Sequence, residues 1–231
     1  TDVNDAITKF VEKPMEREST LASMGIYIFS YPTLKKYLTE NELDETATKD
    51  FGKNVIPAML ENKEKLYAYR FSGYWKDVGT IDSLWEANMD LLNPVVPLDL
   101  YDQSWKIYSN NDSRAPHLIG RNAKVQNSMI TTGCIIEGTV DFSMISGGVT
   151  IEEGATVTDS ILMPGATVKK GAVVEYAIVG ESSVIEAGAH IGARPETIEN
   201  KSEWGIAVVG HDITVSQGTV VAPKQIISAD I

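Results

Sequence analysis

The chain has 231 residues, of which 43% are hydrophobic and 23% are charged, as is ordinary for a globular protein. Its net charge of −12 excludes nucleic-acid binding through a basic surface, and no apolar run reaches the roughly 18 residues that a membrane span requires. Cys134 is the only cysteine, so neither an intrachain disulfide nor a cysteine-based zinc cluster can form, in keeping with a cytoplasmic protein.

Residues 1–95 show the alternation of strands and helices that is typical of an α/β domain with a partly parallel sheet. The apolar run ASMGIYIFS is suited to a buried strand, and Thr80 precedes a helical pattern as its N-cap. In chain order, the pattern predicts a hairpin tip at 4–5, a strand at 22–30, helices at 31–43 and 51–63, a strand beginning at 65 and a helix at 80–92. Because only three residues precede the hairpin tip, we expect the chain to be part of a longer protein.

A different pattern begins beyond residue 115, after a proline-containing stretch at 93–104; we place a linker at 96–116. Several series of residues then recur every 17 positions, among them Gly154, Gly171 and Gly188, the apolar Val140, Val157, Val174 and Ile191, and the small Ser143, Ser160 and Ala177. This hexapeptide-like repeat predicts a left-handed parallel β-helix over residues 117–231, with the glycines at its corners. Four coils are clear within 117–192, and 204–210 and 218–231 are predicted as further strands without a placement.

Polar residues at the ends of predicted strands in the first half are candidates for ligand binding. Glu12 and Lys13 close the strand FVEKP, and ligands of open α/β sheets bind at the carboxyl ends of strands. Lys13 can pair with a phosphate as a compact charge, or it can be a solvated strand end. Ser23 and Tyr27 lie four apart on one strand face, beside a glycine that is equally consistent with a simple kink, and Asp50 is suited to be a helix N-cap.

The stretch GYWKDVGT, residues 73–80, combines a candidate metal ligand with a candidate sugar-facing ring. Asp77 follows a strand and precedes a helix, where a carboxylate can hold a magnesium ion that bridges phosphates. Trp75 can present a flat apolar wall to a sugar, or it can lie in the core beside a tight turn. Lys76 points to the opposite side of an extended strand from both neighbours, so it is not assigned to the site. His190, within the coils, is assigned a structural role.

Taken in order, FVEKP, ASMGIYIF, DFGKNVIP, GYWKDVGTIDSLWEANMDLL, YDQSWKIYS and the β-helix closely resemble bacterial glucose-1-phosphate adenylyltransferases over essentially the whole chain. That family joins ATP and α-D-glucose 1-phosphate to give ADP-glucose and diphosphate, the committed step toward bacterial glycogen. The resemblance implies the C-terminal part of a Rossmann-like nucleotidyltransferase domain in residues 1–95. It also implies a β-helix that serves oligomerisation, as a homotetramer or with a paralogous subunit, and allosteric regulation.

The resemblance further implies roles for individual residues. Lys13 would bind the sugar phosphate, and Asp77 would bind Mg²⁺ together with a second aspartate upstream of residue 1, which makes these two the expected catalytic residues. Glu12 would contact the glucose hydroxyls. The remaining wall of the glucose pocket would be formed by Ser23, Tyr27, Asp50, Phe51 and Trp75.

The sequence departs from the family pattern in lacking the glycine-rich nucleotide loop with its arginine and PLT. We therefore expect the ATP site to lie mostly outside this chain and the chain alone to be inactive, an expectation that pyrophosphate release by the chain would contradict. Alternatives are a sugar-1-phosphate nucleotidylyltransferase that uses dTTP or UTP, a bifunctional uridylyl- and acetyltransferase, and a non-catalytic regulatory subunit. Retention of Lys13 and Asp77 argues against the last.

Overall fold

A computed structural model describes residues 1–16, 19–95, 98–109 and 113–231. By its internal contacts the chain divides into two compact units, Thr1–Ser72 and Gly73–Ile231. Segment 73–95, which the sequence pattern groups with the α/β domain, thus belongs by contact to the second unit. Parts of the predicted linker, 96–97 and 110–112, lie outside the described residues.

Two helices organise the first unit. Helix α1 spans Tyr31–Leu43, exactly the predicted range, with a proline in its first turn, where a missing N–H costs no helical hydrogen bond. A π-helical turn at Phe51–Val55 leads into α2 at Ile56–Glu61, which confirms the helix predicted at 51–63 to within two residues. The fully buried side chains of Tyr37, Val55 and Met59 form the small core around these helices.

The strands predicted at 22–30 and through FVEKP are absent from the described residues. The strand predicted from residue 65 is present only as a short antiparallel pairing of 66–68 with 5–7, closed by the Ile7 N–H on the Leu66 carbonyl and the Ala68 N–H on the Asp5 carbonyl. Among the described residues of the first unit, the β-type pairing is an isolated antiparallel bridge between Ala6 and Tyr67. Ile26 and Ile28, predicted as buried, are 72% and 99% exposed. A strand exists only beside a neighbour that shares its backbone hydrogen bonds, and the described part of the chain places none beside 22–30. The tip at 4–5 does form a turn, closed by the N–H of Asp2 on the carbonyl of Ala6.

The second unit contains a parallel β-helix of six coils, each of which contributes one short strand to each of three faces. The first face consists of β1 (Leu118–Ile119), β4 (Ile135–Ile136), β7 (Thr150–Ile151), β10 (Thr167–Val168), β13 (Val184–Ile185) and β16 (Thr214–Val215). The second face consists of β2 (Lys124–Gln126), β5 (Thr139–Asp141), β8 (Thr156–Thr158), β11 (Val173–Glu175), β14 (His190–Ile191) and β17 (Val220–Val221). The third face consists of β3 (Met129–Ile130), β6 (Met144–Ile145), β9 (Ile161–Leu162), β12 (Ala177–Val179), β15 (Ala207–Val209) and β18 (Ile226–Ile227).

Strands β4 to β17 each bury an apolar side chain in the interior, where it stacks on its equivalent in the next coil. On the second face Val140 pairs with Val157 and Val157 with Val174, and all three side chains are 0% exposed. Gly154 and Gly171 occupy corners with φ of 79° and 71°, a conformation that glycine adopts without steric cost. The predicted 17-residue repeat and its glycine corners are therefore confirmed.

The two segments without a predicted placement complete the last two coils. Residues 204–210 contain β15, which pairs with β12, and residues 218–231 contain β17 and β18. Between β14 and β15 the chain leaves the repeat at 192–206, where two 3₁₀ turns form at Pro195–Thr197 and Lys201–Glu203. This insertion lengthens the fifth coil and breaks the sequence period.

Helix α3, Ile81–Asp90, packs on the third face of the β-helix. The predicted N-cap is confirmed, because Thr80 Oγ1 accepts the N–H of Ser83 at 3.2 Å in a reciprocal capping box. Met89 is buried in one apolar cluster with Ile161 and Ile178. No helix among the described residues combines the length and apolar character that crossing a membrane demands.

Candidate functional site

Glu12 and Lys13 lie together in the first unit, at the bend that ends FVEKP. The Lys13 side chain is 87% exposed, and its Nζ lies 4.0 Å from Oε1 of Glu12. A Cβ on the buried Gly52 would lie 2.6 Å from Oε2 of Glu12, so this carboxylate rests against the backbone of Gly52. The arrangement leaves an exposed ammonium beside a held carboxylate, and such an ammonium can bind phosphate oxygens.

Tyr27 and Phe51 form an aromatic wall in the same unit. Their rings are stacked, with centroids 6.0 Å apart and an interplanar angle of 9°. The hydroxyls of Ser23 and Tyr27 lie 3.0 Å apart, and Ser23 Oγ also accepts the N–H of Gly25 at 3.1 Å. Gly25 has a φ of 70°, so the two predicted site residues meet through a glycine turn rather than along a strand.

Asp50 begins the helical segment that carries Phe51. Its Oδ1 accepts the N–H of Lys53 at 2.9 Å, which confirms the predicted N-cap. The same oxygen lies 3.4 Å from the position that a Cβ on Gly52 would take. The carboxylates of Asp50 and Glu12 therefore face the same glycine.

The first unit thus connects most of the predicted sugar-site residues through a continuous series of contacts. Two carboxylates meet at Gly52, and the aromatic pair begins at the adjacent residue. Carboxylate oxygens accept hydrogen bonds from hydroxyl groups, and an aromatic face packs against apolar C–H surface. With the exposed Lys13 beside them, these side chains can bind the hydroxyl groups, the ring and the phosphate of a phosphorylated sugar. The residues of this set are Glu12, Lys13, Ser23, Tyr27, Asp50 and Phe51.

Trp75 and Asp77 lie in the second unit, in the extended segment before α3. Trp75 is 46% exposed, so the alternative that placed it in the core is wrong. Asp77 is exposed, and its Oδ1 accepts the N–H of Gly79 at 3.2 Å. Both side chains are therefore available to a ligand, as the sequence interpretation requires.

The residues that alternate with them, Tyr74 and Lys76, are bound to α3. The hydroxyl of Tyr74 donates to Oδ2 of Asp90 at 2.9 Å, and Nζ of Lys76 donates to the same oxygen at 3.1 Å. Nζ of Lys76 also lies 2.9 Å from a carboxylate oxygen of Glu86. Sequence reasoning left Lys76 out of the site but did not identify its partners, although alternation along an extended segment already put it on one side with Tyr74.

This network shifts the ionisation of its members. Partial burial acts to raise the pKa of Asp90, but the hydrogen bonds from Tyr74 and Lys76 outweigh it and hold that pKa below the usual value. The pKa of Lys76 is raised, chiefly by its hydrogen bond to Glu86. Asp90 and Lys76 are thus a charged pair at neutral pH.

Asp77 fits a magnesium ion as a single protein ligand. Mg²⁺ is commonly held by one or two carboxylates while substrate phosphates and waters complete its octahedron. Asp77 offers an exposed carboxylate for this purpose. No group of three His, Cys, Asp or Glu side chains within 1–16, 19–95, 98–109 and 113–231 is arranged to hold a metal ion by itself.

His190 has structural partners on the second face of the β-helix. Its Nε2 lies 2.9 Å from Oε1 of Glu175, whose other oxygen accepts Nε–H of Arg194 at 3.0 Å. Arg194 begins the turns of the 192–206 insertion. The three side chains thus fasten the insertion to the coils, in agreement with the structural role assigned to His190.

Comparison with protein families divides the chain much as its sequence pattern does. Residues 1–94 match the nucleotidyl transferase family. Residues 115–215 match the GlmU-like C-terminal hexapeptide family. The first match includes every predicted site residue, and the second includes the first five coils of the β-helix.

Curated relatives are similar across most of this chain. A glucose-1-phosphate adenylyltransferase from Clostridium beijerinckii is 55% identical over 154 residues, 67% of this chain and 40% of the relative. One from Clostridium perfringens is 53% identical over 159 residues, 69% of this chain and 40% of the relative. The matched region therefore spans about two fifths of the length of each relative.

Proposed function

Since residues 1–94 belong to the nucleotidyl transferase family and residues 115–215 to the GlmU-like hexapeptide family, we propose that the protein binds glucose 1-phosphate for adenylyl transfer. The reaction is ATP plus α-D-glucose 1-phosphate to ADP-glucose plus diphosphate. The observation that carries the proposal is the series of contacts that joins the carboxylates of Glu12 and Asp50 to the stacked rings of Tyr27 and Phe51, beside the exposed Lys13. The names of the similar clostridial proteins support adenylyl transfer over uridylyl or thymidylyl transfer.

In this reaction a phosphate oxygen of the sugar attacks the α-phosphorus of ATP, and the bond from that phosphorus to the diphosphate oxygen breaks. Such transfers need little covalent participation by the protein, so positioning and charge neutralisation supply the rate. Lys13 would hold the phosphate that carries the attacking oxygen. Glu12 and Asp50 would accept hydrogen bonds from glucose hydroxyls, and the Tyr27–Phe51 pair would face the ring.

Two of the proposed site residues, Asp77 and Trp75, lie in the second unit. Asp77 would hold Mg²⁺, which when bound neutralises charge on the phosphates. The exposed ring of Trp75 offers an apolar face of the kind that packs against a sugar. In the active enzyme, Asp77→Asn should chiefly lower kcat.

The wider setting follows from the same proposal. The product would supply glycogen synthesis in the cytoplasm. The β-helix would serve assembly, as a homotetramer or with a paralogous subunit, and the response to allosteric effectors. Its three faces are each six strands long, and α3 packs on the third of them.

The decisive experiment is calorimetric titration of glucose 1-phosphate into the wild-type chain and into Lys13→Gln. A charge-assisted hydrogen bond is worth about 1.5–3 kcal/mol, so the dissociation constant should rise about tenfold or more in the variant. Lys35→Gln, at an exposed position of α1, is the matched control and should bind like wild type. Equal affinity in Lys13→Gln and wild type would remove Lys13 from the site.

A further inference from the structure

We infer that Asp90 is a positioning residue that holds Trp75 and Asp77 in place by binding the alternate residues Tyr74 and Lys76. The inference rests on the proposed function, since it concerns the segment that would carry the metal ligand. Asp90 lies at the end of α3, so it is distinct from the residues that would touch substrate.

The position of Asp90 is locally unfavourable, which calls for a compensating contact. Carbonyl groups at the end of a helix carry a partial negative charge, so an acidic side chain in the last turn costs free energy. Asp90 is the last residue of α3, and no basic residue occupies that last turn. Its side chain is only 32% exposed, which adds a desolvation cost.

Tyr74 and Lys76 supply the compensation from outside the helix. Both donate to Oδ2 of Asp90, at 2.9 and 3.1 Å, and Lys76 bridges to Glu86 one turn earlier on α3. The Lys76 side chain is 25% exposed. The pair is therefore better shielded from water than an ordinary surface ion pair.

Because side chains alternate along the segment, the contacts of Tyr74 and Lys76 with Asp90 also fix the orientation of Trp75 and Asp77. In an extended backbone, residues i and i+2 point to one side and residues i+1 and i+3 to the other. Burial follows this alternation, since Tyr74 and Lys76, which are fixed to α3, are half-buried, whereas Trp75 and Asp77 are exposed. A slip by one residue would exchange the two sets and turn the carboxylate of Asp77 toward Asp90.

The first arm of the test measures backbone NMR order parameters in residues 73–80 of this chain. Asp90→Asn and Lys76→Met should each lower them from about 0.85, the rigid value, to about 0.6, and the double variant should add little, because either change breaks the same ion pair. Lys76→Arg, which keeps the charge, should retain the wild-type values. Asp82→Asn, on the first turn of α3, is the matched control.

The second arm measures the active enzyme and its response to Mg²⁺. Asp90→Asn should raise the Mg²⁺ concentration for half-maximal rate about tenfold, as is typical when a partner that orients a metal ligand is lost. A purely structural role would leave that concentration unchanged in the folded protein.

The two arms separate the inference from the function on which it rests. If Asp77→Asn leaves the rate unaltered, the proposed function fails, and the order parameters of 73–80 alone decide whether Asp90 orients the segment. Unaltered order parameters in both Asp90→Asn and Lys76→Met would overturn the inference. So would a Mg²⁺ response of Asp90→Asn within twofold of wild type while Asp77→Asn is impaired.

Discussion

Replacement of Trp85 by phenylalanine removes one defined link between α3 and the β-helix. The indole Nε1–H donates to the carbonyl of Asp159 at 2.7 Å, and the ring lies 5.7 Å from that of Tyr176. Phenylalanine keeps an aromatic ring against Tyr176 but has no donor. Among the hydrogen bonds of the described residues, no other donor reaches this carbonyl, so the variant leaves it without a protein partner.

The magnitude follows from the loss of that hydrogen bond. An acceptor left unpaired in a buried setting costs about 1–3 kcal/mol, and Trp85 is only partly buried, so we expect about 1–2 kcal/mol. A change of that size alters an equilibrium by a factor of about 5–30. The cost concerns the docking of α3, because the coils keep their own core.

Hydrogen exchange resolved along the chain measures this local opening directly. Amides of α3 that are protected by docking should exchange about 5–30 times faster in Trp85→Phe, since exchange follows the population of the open form. Amides of β8 and β11 in the coils should keep their protection. Trp105→Phe is the matched control, because Trp105 is 83% exposed.

Two results would refute this reasoning. Equal exchange of α3 in Trp85→Phe and wild type would show that the indole N–H does not hold the helix. An equal acceleration throughout the β-helix would show that α3 and the coils open as one cooperative unit.

Three further predictions concern single contacts. Ser160 Oγ donates to the carbonyl of Thr158 at 2.7 Å and accepts the N–H of Ala177 at 3.1 Å, so Ser160→Ala should lower the free energy of unfolding by about 2–3 kcal/mol in urea titrations. Gly52→Ala places a Cβ 2.6 Å from the Glu12 carboxylate, so glucose 1-phosphate should bind more weakly in calorimetry while the unfolding midpoint stays unchanged, because that side chain can swing away. Despite partial burial, hydrogen bonds hold the pKa of Asp90 below its usual value. Its contribution is therefore fully present above a pH of about 4, and the backbone order parameters of residues 73–80 should fall as pH drops below that, with no such step in Asp90→Asn.

The β-helix could be predicted from sequence because every coil repeats the same steric problem. Each inward position meets the same position of the next coil, so Val157 and Val174 occupy equivalent surroundings and a 17-residue period results. The insertion at 192–206 prevented prediction of the last coils, because the partner of Ile191 is Val221, 30 positions later. A repeat of 17 residues does not predict a pairing over such an interval.

The candidate site shows where sequence reasoning reaches its limit. Motifs identified Glu12 and Tyr27 as candidate site residues. The contacts of Glu12 with Gly52 and of Tyr27 with the ring of Phe51 depend on tertiary structure, so the motifs could not predict them. The strand predicted at 22–30 was wrong because an apolar pattern does not specify the neighbour that completes a strand. The anchor at Asp90 escaped notice because its donors lie 14 and 16 residues away, beyond the reach of helix or strand periodicity.

The segment that carries Asp77 depends on the coils for its fixed position. Residues 73–94 lie within the match to the nucleotidyl transferase family but belong to the β-helix unit by contact. Helix α3 has 10 residues, a length at which an isolated helix is marginal in water, so its packing against Ile161 and Ile178 stabilises it. Asp90 then joins the preceding segment to this helix. The packing of α3 on β9 and β12 thus stabilises the helix to which Tyr74 and Lys76 are bound.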